Sequence, residues 1–205
     1  MAGFEILTAV AVPIAIDDVD TDQIFPSRFT SKSRGDGMFG RYLLHDHRFD
    51  EHGRPRAGFV LNDERFSGAK IIVAAANYGC GSARPGAIYS HIDYGIEAIV
   101  AESFGPVFPT VAFKSGLLTV ELSKQAVADL REALLAQPGA KLTVDLKDQV
   151  IASPDGMRFS FDIDPFVKRM FVEGLSEIDM TLALQDKIDA FEARQRASMP
   201  WLYQG

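Results

Sequence analysis

The sequence predicts an α/β fold with a mostly parallel central sheet. Between residues 70 and 120, short apolar runs alternate with segments of helical character, which is the pattern of parallel strands joined by helical crossovers. The run Ile71–Ala76 contains only β-branched and small apolar residues, as expected for a strand that is covered on both faces. A chain of 205 residues can bury one sizeable core, so we expect a single domain over residues 1–205.

The remaining elements follow from apolar patterning and from turn residues. Besides the central run, the predicted strands lie at 5–14, 96–100, 117–120, 141–146, 149–152 and 157–161. The turn sequence Ser153–Gly156 predicts that the last two form a hairpin. Helices are predicted at 85–94, 104–113, from Ser123 onward, at 164–174 and at 176–196, with a break near Gln185.

The composition excludes several classes of protein. A formal charge of −7 argues against nucleic acid as the main partner, because phosphate binding needs clustered cations. The single cysteine, Cys80, excludes an intramolecular disulfide and is too little for a zinc or iron–sulfur site in this chain. The apolar run Ile6–Val12 is too short to span a bilayer and follows Glu5 rather than a basic segment. We therefore expect a cytoplasmic protein without a membrane partner.

The stretch Asn77–Arg84 has the features of a ligand-binding turn. It follows the central apolar run, contains two glycines separated by one residue, and precedes a predicted helix in which Pro85 suits the first turn. Ser82 is a candidate N-cap of that helix. A helix N-terminus attracts anions, and Arg84 supplies a fork that matches a carboxylate at two points. The stretch predicts a site for a small carboxylate-bearing molecule, and the alternative is a turn with a structural role alone.

Three other features have the residue types of a reactive site. The acidic run Asp17–Asp22 lacks the glycine and the closing glutamate of a calcium loop, so its short side chains are expected to cap and turn the backbone. The histidines and aspartates of 45–52 lie in a long polar stretch. About residues 30–57 of this stretch are predicted to form a mobile loop. For these histidines and aspartates, solvated side chains are favoured over a metal site. Cys80 with His91 would suit a cysteine nucleophile, although a small buried thiol is favoured.

Five motifs then occur in one order: Asp18–Pro26, Asn77–Ser82, Asp93–Gly95, Ser103–Phe104 and Phe113–Leu118. Together they resemble the small-subunit family of 3-isopropylmalate dehydratase, in the aconitase superfamily, from about residue 5 to residue 196. The resemblance implies a swivelling β/β/α three-layer domain with a helical C-terminal segment at about 164–196. It also implies a hydro-lyase that interconverts 2-isopropylmalate and 3-isopropylmalate in leucine biosynthesis. A [4Fe–4S] cluster is expected in a large partner subunit and none in this chain.

The resemblance also assigns site residues. The family's serine base falls on Ser82, and the arginine that binds the carboxylate of the small dicarboxylate substrate falls on Arg84. A second substrate-contacting serine of the family is replaced by Ala83, of which only the backbone N–H would serve. The substrate-choosing loop of the family falls on residues 30–33, which makes Ser31 and Lys32 candidate substrate-binding residues.

The departures from the family pattern leave the substrate open. Pro85 and Gly86 stand where the family has a Glu-His pair, and residues 30–33 are more polar than an isopropyl group would want. Lys32 or Arg34 would suit an additional carboxylate. The alternatives are a related hydro-lyase for another alkylated malate, of the citramalate or dimethylmalate type, and a non-catalytic binding module. The apolar tail 199–203 is expected to pack back on the body or to meet another chain.

Overall fold

The computed structural model describes residues 3–35, 38–82 and 84–203 of the chain, and within them seven strands form one sheet in the order β4-β3-β2-β1-β5-β6-β7. The strands are β1 (Ile6–Ile14), β2 (Ile71–Ala74), β3 (Ala98–Ala101), β4 (Leu118–Glu121), β5 (Lys141–Asp145), β6 (Val150–Ala152) and β7 (Arg158–Ser160). The α-helices are α1 (Thr21–Ile24), α2 (His45–Arg48), α3 (Pro85–Tyr94), α4 (Phe108–Lys114), α5 (Lys124–Ala136), α6 (Pro165–Glu173), α7 (Glu177–Leu182) and α8 (Gln185–Ser198).

The sheet has a parallel half and an antiparallel half that meet at β1. Strands β1, β2, β3 and β4 pair in parallel, with α3 and α4 as the crossovers on either side of β3. On the other side, β1 pairs antiparallel with β5, and β6 and β7 complete the sheet. The α/β fold class is thus confirmed, as is the hairpin predicted at Ser153–Gly156, which joins β6 and β7.

Both faces of the parallel half are buried. Because successive side chains of a strand point to opposite faces, Ile72 of β2 packs into one core with Phe25 and Phe108, whereas Val73 packs into a second core with Leu130 of α5. This burial explains why β2 and β3 consist of apolar residues without alternation.

The helices that follow β4 in the chain begin and end at residues that the sequence indicates. Ser123 caps α5, and four apolar residues at helical spacing along that helix are all buried: Val127, Leu130, Ala133 and Leu134. Asp164 caps α6, which ends at Gly174 with a φ of +67°. The predicted helical segment beyond residue 176 is interrupted between Leu182 and Gln185, close to the expected break. None of the described helices is both long enough and apolar enough to cross a membrane.

The long polar stretch contains more structure than its sequence indicates. Residues Met38–Tyr42 form a 3-10 helix and are followed by α2, and this part of the stretch buries Phe39, Leu43 and Leu44 in the first core. Helices of four or five residues are too short to produce a periodic pattern. The mobility of residues 30–57 and the single swivelling domain over residues 1–205 stay predictions.

Candidate active site

The site lies where the parallel strands β1, β2 and β3 end. Parallel strands bring their carboxyl ends to one edge of the sheet, which is where α/β proteins bind ligands. Gly79 donates its N–H to the carbonyl of Val19 at 2.8 Å, and Tyr78 donates its N–H to the carbonyl of Ser103 at 3.0 Å. The turn after β2 is therefore held from both sides by the segments that follow β1 and β3.

Both glycines of the turn have positive φ angles and closely packed neighbours. Gly81 has a φ of +88°, and a Cβ at this position would overlap the carboxylate of Asp20. Gly79 has a φ of +72°, and a Cβ there would overlap the ring of Phe108. Only glycine satisfies both the backbone angle and the available space, as the sequence predicts for a turn of close backbone approach.

Ser82 and Arg84 lie together at the protein surface. Ser82 is exposed, and its Oγ accepts a hydrogen bond from Nε of Arg84 at 3.1 Å. Nη1 of Arg84 also forms an ion pair with Oδ1 of Asp22 at 2.9 Å. The hydroxyl thus has a guanidinium on one side and is accessible to a ligand on the other.

The N-cap prediction for Ser82 is wrong. Helix α3 begins at Pro85, and its N-cap is Arg84, whose side chain makes no capping hydrogen bond. Pro85 occupies the first turn, as predicted, but it has no N–H, so this helix start presents one amide donor fewer than other sequences would. The positive charge beside Ser82 therefore comes mainly from the Arg84 guanidinium.

Two other predicted substrate-binding residues are described, and neither is hydrogen-bonded to the serine–arginine pair. Ser31 and Lys32 are exposed and follow the 3-10 turn Ser27–Phe29. Among the described residues, no hydrogen bond joins either of them to Ser82 or Arg84. Ala83 lies outside the described residues.

Arg34, which would suit an additional carboxylate, is paired with Asp93 in this chain. Its Nη2 donates to Asp93 at 2.9 Å, and its guanidinium lies over the ring of Tyr89 at 3.9 Å. The Asp93 side chain is only 8% exposed. Arg34 therefore fastens the segment before residue 35 to helix α3.

The acidic run has the capping role that its sequence predicts. Asp20 caps α1, accepting from the N–H of Asp22 at 2.6 Å in a capping box. Oδ1 of Asp18 accepts from the side-chain amide of Asn77 at 2.7 Å. Asp18 and Asn77 both have positive φ angles, of 54° and 55°, which Asn and Asp tolerate better than most residues. The run also contributes Asp22, whose contact with Arg84 the sequence did not reveal.

The histidines and aspartates of 45–52 are not arranged as a metal site. In the parts of the chain that are described, no group of three or more His, Cys, Asp or Glu side chains is placed to hold a metal ion. Asp46 is instead paired with Arg28, and the hydrogen bond from Arg28 lowers the pKa of Asp46 to about 2.

A buried Tyr–His pair lies beneath the turn, and the sequence alone did not reveal it. The hydroxyl of Tyr78 is 2.8 Å from Nε2 of His91, and Nδ1 of His91 is 2.7 Å from the carbonyl of Ala87. A carbonyl only accepts, so Nδ1 carries the proton and Nε2 accepts from Tyr78. The two residues, both fully buried, connect the start of the turn to helix α3. Burial raises the pKa of Tyr78.

These contacts also exclude a nucleophilic pair of Cys80 and His91. Partial burial, together with the nearby Asp20 and Asp18, raises the pKa of the Cys80 thiol, whereas a nucleophilic cysteine needs a lowered pKa. His91 is fully buried and bonded at both ring nitrogens. The sequence favoured a small buried thiol, but Cys80 is only partly buried.

Because His91 is buried, we expect the free energy of unfolding to depend on pH. Burial lowers its pKa from 6.5 to about 4, so its contribution to stability is fully present above pH 6.5 and is lost as the pH falls through 4. The loss should reach on the order of 3 kcal/mol. We expect the free energy of unfolding, measured by urea titration between pH 7 and pH 4, to fall more steeply for the parent than for His91→Gln. Equal slopes would contradict this, since all other titrating groups are shared.

The strand order, and a serine–arginine pair at the carboxyl ends of parallel strands, define an α/β domain with a candidate anion-binding site at the sheet edge. The Aconitase C-terminal domain family model matches residues 1–125. A second family model, which describes the C-terminal domain of the 3-isopropylmalate dehydratase small subunit, matches residues 177–204.

Curated relatives match the chain over nearly its whole length. A 3-isopropylmalate dehydratase small subunit 1 from Bordetella pertussis is 42% identical over 98% of this chain and 100% of its own. One from Rhodospirillum centenum is 40% identical over 98% of both chains. The chain belongs to the family of 3-isopropylmalate dehydratase small subunits. A crystal structure of 3-isopropylmalate dehydratase from Methanocaldococcus jannaschii, at 21% identity, shares the fold with a TM-score of 0.64 over 91% of this chain and 99% of its own.

Proposed function

We propose that this chain is the small subunit of a two-chain hydro-lyase that interconverts 2-isopropylmalate and 3-isopropylmalate by dehydration and rehydration, a step of leucine biosynthesis. The observation that carries the proposal is the 42% identity to a 3-isopropylmalate dehydratase small subunit along 98% of the chain. The exposed pair of Ser82 and Arg84 is compatible with this chemistry. No observation favours the non-catalytic module.

Ser82 is proposed as the base that takes the proton from substrate carbon. A free serine hydroxyl is far too weak a base at neutral pH, so its alkoxide must be stabilised. Nε of Arg84 donates to Oγ at 3.1 Å, and a cation at hydrogen-bond distance favours the charged form of the oxygen. The exposure of Ser82 leaves its oxygen accessible to a substrate on the surface.

Arg84 is proposed to bind a substrate carboxylate. In the free chain, Nη1 pairs with Asp22 while Nε contacts Ser82, so the guanidinium is held in one orientation. The Asp22 pair is about half exposed, and pairs of this kind contribute only about 0–1 kcal/mol. A substrate carboxylate can therefore replace Asp22 at little cost, and Ser82 then lies beside the bound molecule.

The chain itself does not have the residues to hold an iron–sulfur cluster. Such clusters are bound by several thiolates, whereas this chain has one cysteine, and the pKa of its thiol is raised. We propose that a [4Fe–4S] cluster belongs to a large partner subunit, where it would supply Lewis-acid chemistry. The small subunit would contribute Ser82 and Arg84 to a site that forms between the two chains.

Reconstitution with the large subunit tests the function and the substrate together. We expect the pair to turn over 2-isopropylmalate with a higher kcat/KM than citramalate or dimethylmalate, measured through the absorbance of the unsaturated intermediate. Each chain alone should show no turnover. A preference for another alkylated malate would favour the related hydro-lyase, and a pair that binds all three acids without turnover would favour the binding module.

A further inference from the structure

The segment Glu177–Tyr203, which we call the C-terminal arm, exposes more large apolar side chains than the rest of the described chain. Eight such residues of the arm are 42–71% exposed, whereas only six lie in all other described parts. They are Ile178, Leu182, Leu184, Phe191, Met199, Trp201, Leu202 and Tyr203. Apolar residues concentrated in this way mark interaction sites in soluble proteins.

The last α-helix of the arm does not pack its side chains into the protein core. Helix α8 is 14 residues long and has no buried residue. Its contacts with the 3-10 helix Pro200–Tyr203 include a hydrogen bond from the Tyr203 hydroxyl to Gln195 at 2.6 Å and the guanidinium of Arg196 over the Tyr203 ring at 5.2 Å. Helices in proteins depend mainly on packing of an apolar face, and here Phe191 and Trp201 remain 56% and 64% exposed.

Helix α4 connects the arm to the candidate active site. At its start, the ring of Phe108 packs directly against Gly79 of the turn. At its end, Nζ of Lys114 pairs with Oε1 of Glu177, the first residue of the arm, at 3.3 Å. Seven helical residues span about 10 Å. The arm therefore begins about one short helix away from the turn that carries Ser82.

We propose that the C-terminal arm is the surface on which the large subunit docks. An aromatic side chain offers on the order of 200 Å², so the three aromatic residues of the arm, about half exposed, present about 300 Å² of apolar surface, to which the five aliphatic side chains add. Apolar surface of this size is the scale that marks interaction sites. The inference rests on the proposed function, in which a partner must cover Ser82. A second copy of this chain would cover the arm without completing that site.

Two truncations of exposed side chains test the arm. Phe191→Ala and Trp201→Ala are each expected to weaken the Kd for purified large subunit by about 10-fold or more, as truncation of an aromatic anchor does. The matched control is Leu135→Ala on α5, which is 56% exposed outside the arm and should leave the Kd unchanged. Circular dichroism should show the same fold for all three variants, because none of these side chains is buried. At saturating large subunit, the kcat of both arm variants should return to that of the parent.

Three results would overturn the proposal. One is an unchanged Kd in both arm variants, and another is a parent chain that does not bind the large subunit. The third is an isolated chain that sediments as a dimer which the arm substitutions dissociate while the Kd for the large subunit stays the same. Failure of the proposed function is a separate result: the parent pair would bind without turning over any alkylated malate, and the Kd values would still decide the role of the arm.

Discussion

Replacing Ser82 by alanine is expected to lower the kcat of the reconstituted pair on 2-isopropylmalate by roughly 10²–10⁴-fold, the range for loss of a general base. The substitution removes an exposed hydroxyl whose oxygen lies 3.1 Å from Nε of Arg84 and leaves the arginine in place. KM should therefore change little. Steady-state kinetics at saturating large subunit measure both constants.

Cys80→Ala is the matched control, since it removes one polar atom from the same turn. We expect about the same kcat as the parent, because the raised pKa of the thiol leaves it without a catalytic role. Full activity of Ser82→Ala would contradict the assignment of Ser82 as the base.

Arg84→Lys tests whether Arg84 binds the substrate carboxylate. This substitution should raise KM because the ammonium group cannot bind a carboxylate at two points.

Replacing Gly81 by alanine is expected to destabilise the chain by about 3 kcal/mol, through backbone strain and loss of the α1 cap. The new Cβ would overlap the Asp20 carboxylate, which caps α1, at a φ of +88°. The turn must shift to relieve this overlap. Since Ser82 is the next residue, kcat/KM should also fall by roughly 10²-fold, as misplacement of a reacting group by about 1 Å does. Urea unfolding and steady-state kinetics measure the two effects.

Gly95→Ala tests the effect of backbone strain without overlap between the new Cβ and neighbouring atoms. Gly95 has a similar φ of +104°, but no atom lies within 4 Å of the position of its Cβ. We expect a loss of about 1 kcal/mol from backbone strain and unchanged kinetics, because Gly95 follows the far end of α3. Equal losses in the two variants would show that the contact between Gly81 and Asp20 is unimportant.

The central strands and the turn could be predicted because their signals are local. Strand β2 is an unbroken apolar run, and it is buried on both faces as this pattern requires. The glycines at 79 and 81 indicated a close approach of backbone, and both lack space for a Cβ. The proximity of Ser82 to Arg84 followed from a separation of two residues.

The missed contacts join residues that are far apart in the chain. Arg34 and Asp93 are 59 residues apart, and the pairing of Arg84 with Asp22 likewise joins segments that follow different strands. No spacing rule predicts such contacts, because they depend on how β1 and β2 pair. Tyr78 and His91 are nearer, 13 residues apart, but their contact depends on the angle at which α3 leaves the turn.

The central position of β1 has a consequence for the order of folding. This strand precedes the other six in the chain, yet Thr8 pairs with Thr143, 135 residues downstream. A chain emerging from the ribosome therefore carries β1 without one of its two neighbouring strands until β5 has been made. Contacts of such long sequence separation slow folding, and an unpaired strand edge invites aggregation meanwhile. Nascent chains of this protein should accordingly depend on chaperones until β5 has emerged.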